Sequence, residues 1–247
     1  MSDESRIEKR KKEKQSGGGD DGSELWSYVA LVAVIGVIGV VSYFLFFSGG
    51  AAAEVEPWDD VKAIEGEDPT MVAADAGENA TDGMVEVVYY GDFGCPACVQ
   101  FEANTFSRLK DEYIATGDVK FVFRPLDFQA RGDPDSRRGA YAAPAVWEQN
   151  RSAYWTWHRT MFSSYEPRGN WATPDEIAGM ANEAGADGEA VAQSVRQSEY
   201  APDIQEHRAL AERAGIRGTP SFAVNDTVVT GASYEQLTGE IESELGG

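Results

Sequence analysis

Two cysteines and two histidines are all that this 247-residue chain contains of either type. A structural zinc site needs about four ligands, and no second cysteine pair exists to complete one. No resident metal and no cofactor is expected. Positive charge is scarce as well: 21 Lys+Arg stand against 42 Asp+Glu, a formal net charge of −21. Beyond Lys14 the only lysines are Lys62, Lys110 and Lys120. Binding to phosphate backbones needs clustered cations, so nucleic acid is disfavoured as a partner. The chain has no internal repeat.

What is present is a dithiol. The two cysteines stand three positions apart in Cys95-Pro96-Ala97-Cys98, directly after the apolar β-type run Met84–Tyr90 and the turn Gly91-Asp92-Phe93-Gly94. The following residues, Val99 to about Tyr113, read as helix. A C-x-x-C at a strand-to-helix junction sets its first sulfur at a helix N-terminus. Unpaired N–H groups and the positive end of the dipole favour a thiolate there. Cys98 lies about one turn further on, within reach of a disulfide to Cys95. Such a pair suits exchange of electrons with cysteines of other proteins. As a mere staple it would close a very short loop, for only about 2 kcal/mol.

Trp26 to Phe47 holds no charged residue and is dominated by Val, Ile, Ala, Leu and Phe. As a helix it would span roughly 33 Å, enough for a hydrocarbon core of about 30 Å. Arg6, Lys9, Arg10, Lys11, Lys12 and Lys14 all precede it. The positive-inside rule then keeps residues 1–25 in the cytoplasm as a flexible tail and exports the rest. Ala51-Ala52-Ala53 offers a small-residue cleavage site, but secretory apolar regions are shorter, so a retained anchor over 26–47 is expected. No cysteine stands directly after it, so a lipoprotein form lipidated there is excluded. Residues 48–82 read as an acidic tether with one short element near Trp58, and residues 83–247 as one domain. Asn79-Ala80-Thr81, Asn150-Arg151-Ser152 and Asn225-Asp226-Thr227 match glycosylation acceptors, a short pattern that arises often by chance.

The exported part keeps 15 basic residues against 35 acids. Self-repulsion on that scale strains a compact domain in dilute buffer, whereas the Debye length shrinks to about 3 Å in 1 M salt. A salt-loving source is the expectation, with an acidic surface for basic partners as the alternative.

Within the domain a second strand covers Val119 to Leu126. Residues 135–215 then lose all strand character, with helices expected from Ser136 (interrupted or kinked at Pro144), over Ala153–Phe162, and after Thr173, Asp187 and Pro202. Tyr154, Trp155, Trp157 and Phe162 are packing residues, and His158 and His207 packing or helix-surface residues rather than ligands. Sheet returns in Ser221–Val224 and Thr227–Val229 around an Asn225-Asp226 turn, and Ser233 caps a last helix. The class is α/β with a helical block inserted.

Residues 84–245 resemble a thioredoxin-fold thiol-disulfide oxidoreductase of the DsbA type. The resemblance rests on Tyr90-Gly91-Asp92-Phe93-Gly94-Cys95-Pro96-Ala97-Cys98, on Phe123-Arg124-Pro125-Leu126, on the insertion with Trp155 and His158, and on Gly215 to Asn225 around Gly218-Thr219-Pro220. It implies a cis Thr219–Pro220 bond packed against the cysteines. It also implies substrate contacts from Thr219, Pro96 and Ala97, and an exposed Cys95 sulfur that a substrate thiolate attacks. Cysteine-containing exported proteins and a membrane partner that resets the disulfide are the implied partners.

Two departures stand out. Ala97 replaces the histidine that strongly oxidising relatives often carry, so an intermediate potential is expected. Tyr89 replaces a buried acid six positions before the first cysteine, leaving Asp92 and Tyr89 as candidates for the proton relay. Three rivals to an oxidase remain: a reductase or isomerase fed by a membrane donor, a thiol-based metal chaperone, and a non-catalytic surface binding module whose cysteine pair is vestigial.

Overall fold

The computed structural model describes residues 58–246 except 78–80, 82, 168 and 232. The expected tail and anchor, with the first part of the tether, lie outside the described residues. Among the described residues no helix is long and apolar enough to cross a membrane.

Six strands form one sheet in the order β1-β2-β4-β3-β5-β6. They are β1 (Val61–Ile64), β2 (Thr70–Ala73), β3 (Val85–Gly91), β4 (Val119–Pro125), β5 (Ser221–Val224) and β6 (Thr227–Thr230). The central strands β3 and β4 are parallel, with Val85 opposite Val119 and Gly91 opposite Pro125. Their near-continuous apolar sequence suits a strand covered on both faces. Between them the chain crosses over through the helical run 96–114. It starts as α1 (Pro96–Phe101) and passes through a π-helical stretch, Glu102–Phe106, an α turn, Ser107–Leu109, and a second π stretch, Lys110–Ile114. On the other side β5 pairs antiparallel with β3, and Asn225-Asp226 turns it into β6 with Asn225 at φ 45°.

The helical block holds α2 (Pro134–Gln149), α3 (Arg151–Ser163), α4 (Pro174–Ala184), α5 (Gly188–Gln197) and α6 (Ala201–Arg213), and α7 (Tyr234–Leu245) closes the chain. Asp133, Asn150, Thr173, Asp187 and Ser233 each accept a backbone N–H as N-caps of α2, α3, α4, α5 and α7. That local chemistry accounts for the starts read from sequence. Helix α2 begins at Pro134, slightly before the expected Ser136, and remains helical through Pro144.

The reading of 48–82 as a tether does not hold over its second half. Strands β1 and β2 pair with each other, and β2 pairs with β4 through Thr70–Val122 and Met71–Phe121. Met71, Val72 and Ala73 are buried, and Trp147 donates its indole N–H to the Gly66 carbonyl at 3.0 Å. A four-residue apolar run between acidic stretches suffices to extend a sheet whose edge is open.

The core is aromatic and lies between sheet and insertion. Tyr89 is fully buried and packs on Phe101, Phe121, Phe123 and Phe222, with ring centroids 5.0–6.0 Å apart. Phe93 ties this cluster to Trp157, His158 and Phe162 of α3. The insertion therefore shares one core with the sheet, directly behind the cysteines.

Candidate active site

Strand β3 ends at Gly91 and the chain must turn sharply to begin α1 at Pro96. Asp92 makes that turn: its Oδ1 accepts the Gly94 N–H at 2.8 Å, and its backbone carbonyl accepts the Cys95 N–H at 2.9 Å. Gly94 is required by close approach, because a Cβ there would stand 2.7 Å from the Ser136 Cβ. Cys95 becomes the N-cap residue of α1, followed by a proline whose missing N–H costs nothing in the first turn.

Both cysteines are free thiols, so the dithiol form is described. The Thr219–Pro220 peptide is cis, as the resemblance implies, and its loop lies over the first sulfur. As a thiol Cys95 donates to the Thr219 carbonyl at 3.2 Å. As a thiolate it accepts from the Cys98 thiol above all, then from Thr219 and the backbone N–H groups of Cys98 and Ala97. Against the opposing effect of burial, these bring Cys95 down to about 6. Cys98 is pushed well above its ordinary value, first by burial, then by the hydrogen bond its thiol donates to Cys95 and by the charge there. One sulfur is thus an anion and the other a proton donor at neutral pH.

Cys95 is not the exposed sulfur that the resemblance implies. Only 4% of its surface is accessible and Cys98 has none, because the Thr219–Pro220 loop roofs the first turn. Pro96 and Ala97 are exposed between them, and Thr219 is half-buried at the rim. Those positions, with buried Pro220, form the mouth through which an incoming sulfur must pass.

The two relay candidates differ. Asp92 is fully buried, and burial raises its carboxyl to about 6 despite hydrogen bonds from Gly94 N–H and, at 2.9 Å, Gln129 N–H. It is therefore both the turn-forming residue and a group able to change charge near neutrality. Tyr89 faces Cys98, but its hydroxyl makes no hydrogen bond of ordinary geometry. Burial, then the charges of Cys98 and Glu102, hold its phenol well above the usual range, so it stays protonated.

The sequence reading missed a pair behind the dithiol. Glu102, one turn after Cys98, bonds His158 Nε2 through Oε1 at 3.0 Å, and His158 is fully buried among Phe93, Phe123 and Phe162. The i+4 spacing of Glu102 from Cys98 on a predicted helix was the available signal. His207 pairs with Asp68 at 2.9 Å and faces the Pro125 carbonyl, also a packing position. Among the described residues no group of side chains is placed to hold a metal ion.

This site and fold have known counterparts. Residues 77–243 match the family described as Thioredoxin. Disulfide bond formation protein D of Bacillus subtilis is 30% identical over 169 residues, which are 67% of this chain and 75% of that protein. The crystal structure of oxidised BdbD from Bacillus subtilis superposes with a TM-score of 0.64 at 28% identity, covering 75% of this chain and all of that one. MdbA, a thiol-disulfide oxidoreductase from Corynebacterium diphtheriae, shares the fold at 19% identity with a TM-score of 0.62, over 78% of this chain and all of that one. With the thiolate at a helix N-terminus, the protonated partner one turn away and the cis-proline roof, the chain belongs to the thioredoxin family as a protein-disulfide oxidoreductase of the DsbA type.

Proposed function

We propose that this enzyme is a dithiol oxidase that introduces disulfides into exported proteins, tethered to the membrane by residues 26–47 with its N-terminus in the cytoplasm. The observation that carries the direction is the stabilised Cys95 thiolate: whatever stabilises the reduced form makes the disulfide a stronger oxidant. A substrate thiolate attacks Cys95 Sγ of the Cys95–Cys98 disulfide, the S–S bond breaks, and Cys98 leaves and takes up a proton. The substrate's second thiolate then attacks its own bonded sulfur and expels Cys95 as thiolate. The substrate has lost two electrons and the enzyme has gained them, so a membrane partner that accepts two electrons must reset the pair. Asp92 and Tyr89 are the groups at hand for the Cys98 proton. Thr219, Pro96 and Ala97 contact the substrate, and Pro220 shapes the mouth.

The deciding experiment is equilibration with glutathione. A potential on the oxidising side of about −200 mV supports the oxidase. One near the −270 mV of thioredoxin makes the protein a reductase fed by a donor. The name borne by the Bacillus subtilis relative favours the first outcome. A salt-loving source follows from the acid excess. It is tested by melting the domain from low to multimolar KCl, where a melting temperature that fails to rise rejects it.

A further inference from the structure

The acid excess is not spread evenly over the surface. Two segments frame the cysteines: 126–139, the loop after β4 with the start of α2, and 208–220, the end of α6 with the cis-proline loop. Together they hold six arginines (131, 137, 138, 208, 213 and 217) against four acids, in a chain with twice as many acids as bases. The acids there are largely consumed. Asp127 and Asp135 are buried and ion-paired to Arg137 and Arg138. Asp133 is the N-cap of α2 and accepts from the Trp171 indole. Glu212 alone is exposed.

Arg131 and Arg217, by contrast, are exposed and have no carboxylate partner among the described residues. Both are anchored at the mouth. Arg131 lies between Gln129, whose N–H bonds Asp92, and Asp133, whose Oδ2 is 3.1 Å from where a Gly94 Cβ would be. Arg217 is two residues before Thr219, whose carbonyl is 3.2 Å from Cys95 Sγ. Two peptide units bring their Cα atoms to within about 7.6 Å of each other. The loop and the cis-proline segment share one apolar cluster, to which Leu126 and Ile216 belong and against which Phe128 packs. A guanidinium therefore stands on each of the two segments that border Cys95.

We propose that Arg131 and Arg217 make the mouth selective for acidic polypeptides, holding an aspartate or glutamate that flanks the substrate cysteine. This deepens the proposed function by naming the substrate class of the same site. Guanidinium pairs a carboxylate in bidentate fashion, and salt weakens a direct contact of this kind less than it weakens the longer-range field of the acidic surface. The pairing places the substrate thiolate beside Cys95 and offsets the repulsion that a domain so rich in acids exerts on an acidic chain. A basic segment is drawn instead to the remote acidic surface, away from the sulfur.

The test uses the oxidised full-length protein and three dithiol peptides of equal length and cysteine spacing, flanked by Asp, by Ser or by Lys. The rate at which each reduces the Cys95–Cys98 disulfide is followed at 0.15 M salt. That rate is read whichever way electrons flow in the cell, so it stands apart from the glutathione potential that judges the oxidase reading. The acidic peptide should react about fivefold faster than the neutral one, and the basic peptide more slowly. In Arg131→Glu/Arg217→Glu the order of acidic and basic peptides should invert. Arg151→Glu/Arg196→Glu, which changes net charge equally on exposed sites of α3 and α5, should retain it. Equal rates for the three peptides, an order preserved in the mouth variant, or an equal inversion in the remote variant would each overturn the proposal.

Discussion

Cys95 and Cys98 are three residues apart and chemically far apart. The mouth around Cys95 supplies donors from Cys98, Thr219 and two backbone N–H groups, enough to outweigh burial and bring the thiol to about 6. The pocket around Cys98 supplies closed aromatic packing and the neighbouring negative charge, and pushes the second thiol up. The same element, the first turn of α1, creates both: its start collects N–H groups and its first turn inward meets Tyr89. A dithiol becomes a directional reagent when its two sulfurs are held on opposite sides of neutrality.

The largest effect should come from exchanging the two sites for oxygen. Cys95→Ser should abolish thiol oxidation and insulin reduction outright. Cys98→Ser should instead accumulate mixed disulfides through Cys95, visible as protein adducts on non-reducing gels. Activity left intact in Cys95→Ser would erase the difference between the sites and favour a surface binding module whose cysteine pair is vestigial.

Alkylation of the reduced protein sharpens the same difference. Iodoacetamide should modify Cys95 with an inflection near pH 6, while Cys98 stays unreactive up to at least pH 8. A single inflection near 8.5 for both would mean that the mouth does not hold a thiolate.

Stability should follow with a definite sign. Cys95 is at about 6 in the folded dithiol form and near its ordinary 9.0 when unfolded, so between these values the unfolded chain binds the extra proton. The reduced form is therefore stabilised progressively from pH 6 to 9, and that gain is lost as pH falls through 6. Cys98, raised in the folded state, works against this only above pH 9. Asp92 has the opposite slope below pH 6, but it is present in both redox forms and largely drops out of their difference. The reduced-minus-oxidised melting temperature should thus climb from pH 6 to 8.5. A flat difference would contradict the thiolate.

How much of this could be read from residues alone depends on how local the cause is. The strand–turn–helix around Cys95, the Asn225-Asp226 hairpin and the helices capped by Thr173, Asp187 and Ser233 are each set by neighbours within four positions, and the structure contains them. The β1–β2 hairpin was hidden because its partner, β4, lies some 50 residues on and its own flanks are acidic. The burial of Cys95 was hidden for the same reason, since Thr219 comes 124 positions later. Glu102 and His158, 56 positions apart, find each other only once α3 packs against the π-helical stretch that follows α1.

The smallest effect is expected at Asp92, where turn and relay make separable predictions. Asp92→Asn can keep the bond from Gly94 N–H, so the turn survives, while the contact with Gln129 N–H weakens at a cost of about 1 kcal/mol. If the carboxyl only shapes the turn, the rate of disulfide exchange against pH should keep its form in the variant, with a lower melting temperature. As a relay titrating near 6, Asp92 contributes its own inflection to that profile. Its removal should leave Cys95 as the sole inflection there and slow formation of the mixed disulfide, the step in which Cys98 leaves and takes up its proton. Because Asp92 and Cys95 each disfavour the other's charge, the variant's alkylation inflection should also fall, by less than about one unit. A profile unchanged in shape alongside reduced stability would assign Asp92 to the fold of the mouth and leave Tyr89 as the only one of the two candidates still facing the Cys98 proton.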